Sequence, residues 1–140
     1  MNAVLLVGRI LFAFIFITSG IAHFAKLEAM TGYAQYKKLP AAKLGVLVSG
    51  LFFLLGGVYI AIGLWVDLGA LLLAITLILA AVIFHNFWKE TDPTAKQNEM
   101  IAFNKDIALA GAALILFALI AFGSLTEFGP SVGSLNFFNF

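Results

Sequence analysis

The chain has two histidines, and each lies near the end of a long apolar segment. His23 is close to the end of the first such segment and His85 to the end of the third. An imidazole ordinarily titrates near neutral pH, so it can donate, accept or transfer a proton and can bind a metal. Lys26 follows His23 by three residues and adds an ammonium group there. Asn86 follows His85 directly and adds an amide group.

Charged residues also open the fourth apolar segment. Lys105 and Asp106 precede it, and the Asp106 carboxylate suits the positive start of a helix. If the segments are antiparallel helices, both histidines and this pair meet at one end of a bundle, and we expect Glu99 to approach them from the preceding connection. The candidate ligand-binding residues are Arg9, His23, Lys26, His85, Asn86, Lys105 and Asp106.

Arg9 differs from the others because it lies near the beginning of the first apolar segment. A charged group at that depth needs a partner or a function. It either extends outward to pair with lipid phosphate, Asp67 or Glu127, or it faces inward with a functional role. The sequence leaves both interpretations open.

The composition excludes most soluble classes. Of the 140 residues, 63% are apolar and 11% are charged, whereas soluble domains carry about 25% charged residues. The formal net charge of +1 gives no basis for binding nucleic acid. The absence of cysteine excludes disulfides, iron–sulfur clusters and thiol redox relays. We therefore expect a membrane protein whose first partner is the lipid bilayer.

Four apolar segments are long enough to cross a bilayer, which takes about 20 helical residues. They cover residues 3–25, 44–66, 68–88 and 107–126. The predicted fold is all-α: a transmembrane four-helix antiparallel bundle that forms a single integral membrane domain over residues 1–140.

The connections differ in length. Asp67 alone separates the second and third spans, which predicts a tight hairpin. Residues 26–43 are amphipathic and predict a short interfacial helix after the first span. The segment Thr94 to Asn104 is expected to continue as a helix into the fourth span.

Orientation follows from the distribution of Lys and Arg. All seven lysines lie in the two long connections, whereas Arg9 is the one basic side chain on the other side. We therefore expect a multi-pass protein of the cell (inner) membrane, with both termini outside and the long loops in the cytoplasm.

The polar cluster admits several interpretations. It is a solvated rim at the level of the lipid headgroups, a polar pocket for a lipid-soluble ligand such as a quinone, or a pair of axial ligands, His23 and His85, for a haem. Haem has the least support of these, since two histidines alone are a small basis. A metal site is not expected, because the chain lacks His-x-x-His, Glu-x-x-His and cysteine.

The order and spacing of several short stretches resemble the DoxX family of small membrane proteins over nearly the whole chain. These stretches are Gly8-Arg9-Ile10-Leu11, Ser19-Gly20-Ile21-Ala22-His23-Phe24 with Lys26, Leu39-Pro40, Gly56-Gly57, Gly63-Leu64, Phe84-His85-Asn86-Phe87-Trp88, Gln97, Glu99, Phe103-Asn104-Lys105 and Ala108-Leu109-Ala110-Gly111. The chain departs from the family at Asp106, where relatives often have asparagine, which puts in doubt any role of that amide.

The resemblance implies a four-helix integral membrane protein. Some members are associated with membrane oxidoreductase assemblies, including subunits linked to quinone reduction, and distant relatives include an assembly chaperone and cargo receptors. The resemblance implies a membrane subunit or partner of a redox, quinone-linked system with a soluble or membrane oxidoreductase as partner. The alternative is a non-enzymatic scaffold that recruits a soluble enzyme. A solute carrier is a third interpretation and would need a homo-oligomer, which the sequence leaves open. No residue is identified as catalytic.

Overall fold

A computed structural model of the chain describes residues 2–123, 125 and 127–140, and these ranges contain helices and no strand. The helices are α1 (Asn2–Ala25), α2 (Leu27–Tyr36), α3 (Ala42–Ile62), α4 (Val66–Phe84) and α5 (Pro93–Ala121), with a 3₁₀ turn at Phe87–Lys89 before α5. All except α2 are long and apolar enough to cross a membrane. The predicted all-α bundle with four spans is confirmed.

The helices pack in the order α1 on α3, α3 on α4 and α4 on α5, and α2 lies against α3. Large side chains that are completely buried fill the space between them, among them Phe16, Ile60, Leu73 and Ile120. Small residues let two of these pairs approach closely, because a membrane interface gains its stability from close packing rather than from the hydrophobic effect. Gly20 of α1, for example, faces the backbone of α3 directly.

The turn between α3 and α4 lies earlier than predicted. The sequence indicated Asp67 as the sole connecting residue, but α3 ends at Ile62 and residues 63–65 form the turn. Gly63 (φ 70°) and Trp65 (φ 46°) adopt left-handed conformations there. Gly63 ends the helix because glycine adopts this conformation without steric cost. Asp67 therefore belongs to the first turn of α4, and its side chain is buried.

The two long connections contain helical structure, as predicted. Helix α2 follows α1 after Lys26, and its Ala34 packs on α3 with no exposed surface. Helix α5 begins at Pro93, where the Asp92 side chain accepts a hydrogen bond from the Ala95 N–H at 2.9 Å. The predicted segment 94–104 is thus part of one continuous helix. The predicted end of the fourth span, Thr126, lies outside the described residues, and α5 ends at Ala121.

The carboxyl-terminal segment 127–140 folds back over the end of the bundle that carries the α3–α4 turn, which we call the tail end. Trp65 and Val66 donate backbone hydrogen bonds to the carbonyls of Ser134 and Leu135 at 2.8 and 2.7 Å. Phe128 is buried in the core. The opposite end, where α2 and residues 85–92 lie, is called the loop end.

Candidate functional site

A cavity of about 420 Å³ opens between the helices near the loop end. This volume falls within the range of small-molecule sites, about 300–1,000 Å³. Four of the predicted residues line it: His23, His85, Lys105 and Asp106. Most of the remaining wall is apolar and includes Phe16, Phe52, Phe53, Leu77, Leu79 and Ile83.

The hydroxyl groups in the apolar part of the wall do not make it polar. Thr76 donates to the carbonyl of Leu72 at 2.7 Å, and Ser49 donates to the carbonyl of Val46 at 3.2 Å. Both bonds stay within the helix that carries the hydroxyl, so these groups are satisfied without a ligand. The ionisable side chains His85, Lys105 and Asp106, by contrast, contact one another in the cavity wall.

His85 lies between two carboxylates. It follows the last residue of α4, and its Nδ1 is 2.8 Å from Glu99 Oε2 while its Nε2 is 3.6 Å from Asp106 Oδ2. Glu99 and Asp106 are seven residues apart on α5, which places both on one helix face about 10 Å apart along the axis. The imidazole spans the space between them.

Asp106 is buried, and the Lys105 ammonium and the His85 ring lie beside its carboxylate. Lys105 Nζ lies 3.4 Å from Asp106 Oδ1, and the His85 ring faces the other oxygen. A buried carboxylate needs such partners because desolvation of an isolated charge costs several kcal/mol, an order-of-magnitude figure. The Lys105 side chain is half exposed, so the pair reaches from the cavity wall to the surface.

His23 contributes a second imidazole from α1. Its Nδ1 lies 2.7 Å from the carbonyl oxygen of Ser19. A carbonyl can only accept, so Nδ1 carries the proton, and Nε2 of the neutral ring is an acceptor. The ring also packs edge-on against Phe53, with centroids 5.5 Å apart. This contact holds the imidazole against the apolar wall.

Tyr33 of α2 lines the cavity and contacts Glu99, and we call Asp106, His85, Glu99 and Tyr33 the array. Its hydroxyl is 3.3 Å from both Glu99 Oε1 and the carbonyl oxygen of Phe84. Burial of the phenol, followed by the negative charge of Glu99, raises the pKa of Tyr33 to about 12. Tyr33 thus connects α2 with the end of α4 and the start of α5.

Two predicted residues at this end do not line the cavity. Asn86 accepts a hydrogen bond from Lys37 Nζ at 3.0 Å and donates one to the carbonyl of Ile83 at 3.1 Å. Lys37 also lies 3.5 Å from Glu90. The Lys26 side chain is exposed. The structure therefore brings together four of the seven predicted residues.

Arg9 lies at the tail end, far from the other six. It is 6% exposed and donates hydrogen bonds to the backbone carbonyls of Phe128 and Pro130. The guanidinium also stands 5.3 Å from the centre of the Phe128 ring. Neither predicted counter-ion is its partner, since no ion pair joins Arg9 to Asp67 or Glu127 in the part of the chain that the structure describes.

The haem alternative finds little support in this geometry. Both ring nitrogens of His85 face carboxylates, so ligation of iron by His85 would require it to give up one of these contacts. In the described ranges, no three His, Cys, Asp or Glu side chains are arranged to hold a metal ion.

Two residues of the array were not among the predicted site residues. Glu99 was expected to approach from the connection before the fourth span, and the helix predicted over residues 94–104, which contains it, is part of α5. Its seven-residue spacing from Asp106 is the signal of a shared helix face. Tyr33 had no comparable signal, because its contacts with Phe84 and Glu99 cross more than fifty positions of sequence.

The raised pKa of Tyr33 predicts a specific alkaline transition. The folded protein holds the phenolic proton more tightly than the unfolded chain, whose pKa is about 10. Stability is therefore expected to fall as the pH rises from about 10 to about 12. In a Glu99→Gln variant, the pKa of Tyr33 should fall but stay above 10.0, because burial, its largest cause, remains. Tyrosinate absorbance of the wild type minus that of Tyr33→Phe measures this transition, and a titration of Tyr33 at its ordinary pKa would contradict the assignment.

Comparisons with known proteins identify the family. No curated protein and no solved structure matches the chain. The family model described as DoxX matches residues 4–86, which is more than half of the chain. The match runs from α1 to the residue after His85, so it includes both histidines of the cavity and ends before Lys105 and Asp106. The four apolar helices and this match together show that the chain is an integral membrane protein and belongs to the DoxX family.

Proposed function

We propose that the cavity binds a lipid-soluble carrier of the quinone class and that the chain serves as the membrane subunit or partner of a redox system. The observation that carries this proposal is a cavity whose wall is mostly apolar and which is also lined by His23 and by the contacting side chains of His85, Lys105 and Asp106.

The chemistry of a quinone fits this cavity. Its flat ring and apolar tail are neutral and suit aromatic and aliphatic walls such as those at Phe52 and Phe53. Its carbonyl oxygens accept hydrogen bonds, which the Lys105 ammonium and a protonated imidazole donate. A carboxylate near these oxygens, Asp106, provides a group that can take up or release a proton.

Side chains at the edge of the cavity also indicate a route of entry. Val48 of α3 and Ile75 and Leu79 of α4 line the cavity and are at the same time exposed on the outer surface. These positions lie inside membrane-spanning helices, where the outer surface faces lipid. We propose that the ligand enters sideways from the bilayer between α3 and α4.

The lysine distribution suggests which side of the membrane the ionisable side chains of the cavity face. All seven lysines lie in residues 26–43 and 89–105, toward the loop end, and this asymmetry favours the cytoplasmic side. An oxidoreductase that exchanges electrons with the carrier is therefore expected to act at the cytoplasmic face, with both termini outside.

Ligand binding by purified protein tests the proposal. We expect a short-chain quinone analogue to bind in detergent and His85→Ala to weaken binding about tenfold or more, since loss of a hydrogen bond to a charged group costs about 1.5–3 kcal/mol. Lys26→Ala is the matched control, because its side chain at the same end is exposed and outside the cavity. Absence of binding to the wild type, or equal affinities of the two variants, would refute the quinone site.

One feature favours the scaffold function as a second candidate. Helix α5 has 29 residues, a length of about 43 Å, whereas the hydrocarbon core is about 30 Å thick. Its first turns are polar and exposed, and they would extend beyond the bilayer, within reach of a soluble enzyme. Co-purification of a partner that is lost when residues 89–98 are replaced, from protein that binds no quinone, would support this alternative.

A further inference from the structure

We propose that Asp106, His85, Glu99 and Tyr33 form a proton pathway between the cavity and the aqueous surface at the loop end. The inference rests on the proposed function, because the pathway would supply protons to a carrier bound in the cavity. It adds two residues to the working parts of the site: Glu99, which does not line the cavity, and Tyr33, which lines it and contacts Glu99.

The four side chains make consecutive contacts. The Tyr33 hydroxyl lies 3.3 Å from Glu99, Glu99 lies 2.8 Å from His85 Nδ1, and His85 Nε2 lies 3.6 Å from Asp106. The last distance is too long for a direct hydrogen bond. A small rotation of the Asp106 carboxylate or of the imidazole closes it.

Asp106 is the most buried member. Its side chain is 7% exposed, whereas those of His85 and Glu99 are 24% and 22% exposed. The array therefore runs from a buried carboxylate in the cavity wall to partly exposed groups at the loop end, where Tyr33, which also lines the cavity, is 40% exposed as a residue. If these contacts served only to hold α4 against α5, they would not need to include exposed side chains.

Glu99, His85 and Asp106 can pass a proton while charge is conserved, and the Tyr33 hydroxyl positions Glu99 through its hydrogen bond. A protonated Glu99 carboxyl gives its proton to Nδ1 of the neutral His85 ring, and the proton on Nε2 passes to the Asp106 carboxylate. An O–H bond at Glu99 and an N–H bond at Nε2 break, and an N–H bond at Nδ1 and an O–H bond at Asp106 form. Asp106 then delivers the proton to an oxygen of the bound carrier. The starting tautomer is restored when water gives a proton to Nε2 and takes the proton from Nδ1, an exchange that moves no net charge.

Other charged groups face this array without extending it. Lys105 pairs with Asp106 on α5. On the α2 side, Lys37 stands 5.7 Å from the centre of the Tyr33 ring and is paired with Glu90. His23 of α1 also lines the cavity. Glu90 is thus a carboxylate at the same end that is outside the pathway and serves as a matched control.

A Glu99→Gln variant separates proton transfer from binding. Glutamine keeps a hydrogen-bonding side chain of the same size but cannot carry the proton. The probe is a hydroxynaphthoquinone, whose colour changes when its hydroxyl group ionises, bound to the protein in detergent and subjected to a rapid pH jump. We expect Glu99→Gln to slow protonation of the bound probe about tenfold or more, with affinity unchanged within about threefold, and Glu90→Gln to behave as the wild type.

The possible failures are distinguishable. If the probe binds and Glu99→Gln protonates it at the wild-type rate, the pathway is wrong and the quinone site stands. If the wild type does not bind the probe, the proposed function is wrong, and the pathway is judged on the exchange of the His85 ring protons with water. Nuclear magnetic resonance of protein labelled with nitrogen-15 histidine gives ring signals from His23 and His85. The signals that disappear in a His23→Ala variant belong to His23, so the others belong to His85. Slower exchange at His85 in Glu99→Gln supports the pathway, and unchanged exchange overturns it.

Discussion

An Asp67→Ala variant is expected to lose about 3–5 kcal/mol of unfolding free energy and to release the tail from the bundle. The Asp67 side chain has no exposed surface and accepts three backbone hydrogen bonds. Two of them come from the tail, from Phe137 at 2.7 Å and Phe138 at 3.0 Å, and the third comes from Leu68 at 2.8 Å. Alanine would leave these donors without an acceptor in a buried place.

Two measurements check this expectation. Denaturant titration in detergent gives the change in unfolding free energy, and chymotrypsin, which cleaves after aromatic residues, reports release of Phe137 and Phe138. Asp92→Ala is the control, because Asp92 also accepts a backbone hydrogen bond at a helix start but is exposed, so its loss costs about 1 kcal/mol. Equal destabilisation by the two substitutions, with no gain in tail cleavage, would show that the tail does not depend on Asp67.

Arg9 and Asp67 together explain why the ends of the molecule differ. At the tail end, both buried charges bind backbone groups of the tail, the guanidinium its carbonyls and the carboxylate its N–H groups. Most of the hydrogen-bonding groups of these two side chains are used within the fold, while the buried Arg9 Nε has no partner among the described residues. At the loop end, the ionisable groups line a cavity. The functional proposals therefore concern the loop end alone.

The helices and the convergence of the histidines could be predicted because both depend on local properties. The length of an apolar segment determines whether it can span the bilayer, and antiparallel spans bring alternate segment ends together. His23 and His85 therefore had to lie at one end. The α3–α4 turn was misplaced because residues 63–66 continue the apolar segment, so hydrophobicity gave no signal that Gly63 ends the helix.

The remaining contacts depend on the path of non-local segments. Arg9 had plausible carboxylate partners in sequence, but the tail fills the space beside it and offers carbonyl oxygens instead. Tyr33 reaches Glu99 because α2 places its side chain beside Phe84, the last residue of α4. The periodicity of residues 26–43 could not indicate this position. Hydropathy patterns predict which residues face lipid, but they do not predict which polar groups form hydrogen bonds with each other.

Close packing of α1 on α3 leads to the second large expected effect, at Gly20. A Cβ atom there would lie 2.8 Å from the backbone nitrogen of Leu54 and 2.9 Å from the carbonyl oxygen of Gly50. Backbone atoms cannot rotate away as a flexible side chain does, so the helices would have to separate. We expect Gly20→Ala to cost about 3 kcal/mol of unfolding free energy. His23 lies one turn further along α1, so the same displacement would move its ring and weaken ligand binding.

Gly111→Ala provides the matched control for Gly20→Ala. A Cβ at Gly111 meets no atom within 4 Å. Alanine favours the helix over glycine by about 1 kcal/mol, so this variant should be as stable as the wild type or more stable. Denaturant titration of both variants compares the same chemical change with and without a neighbouring helix. Similar stabilities would show that α1 and α3 tolerate a wider separation, and the cavity they enclose with α4 would then not depend on this contact.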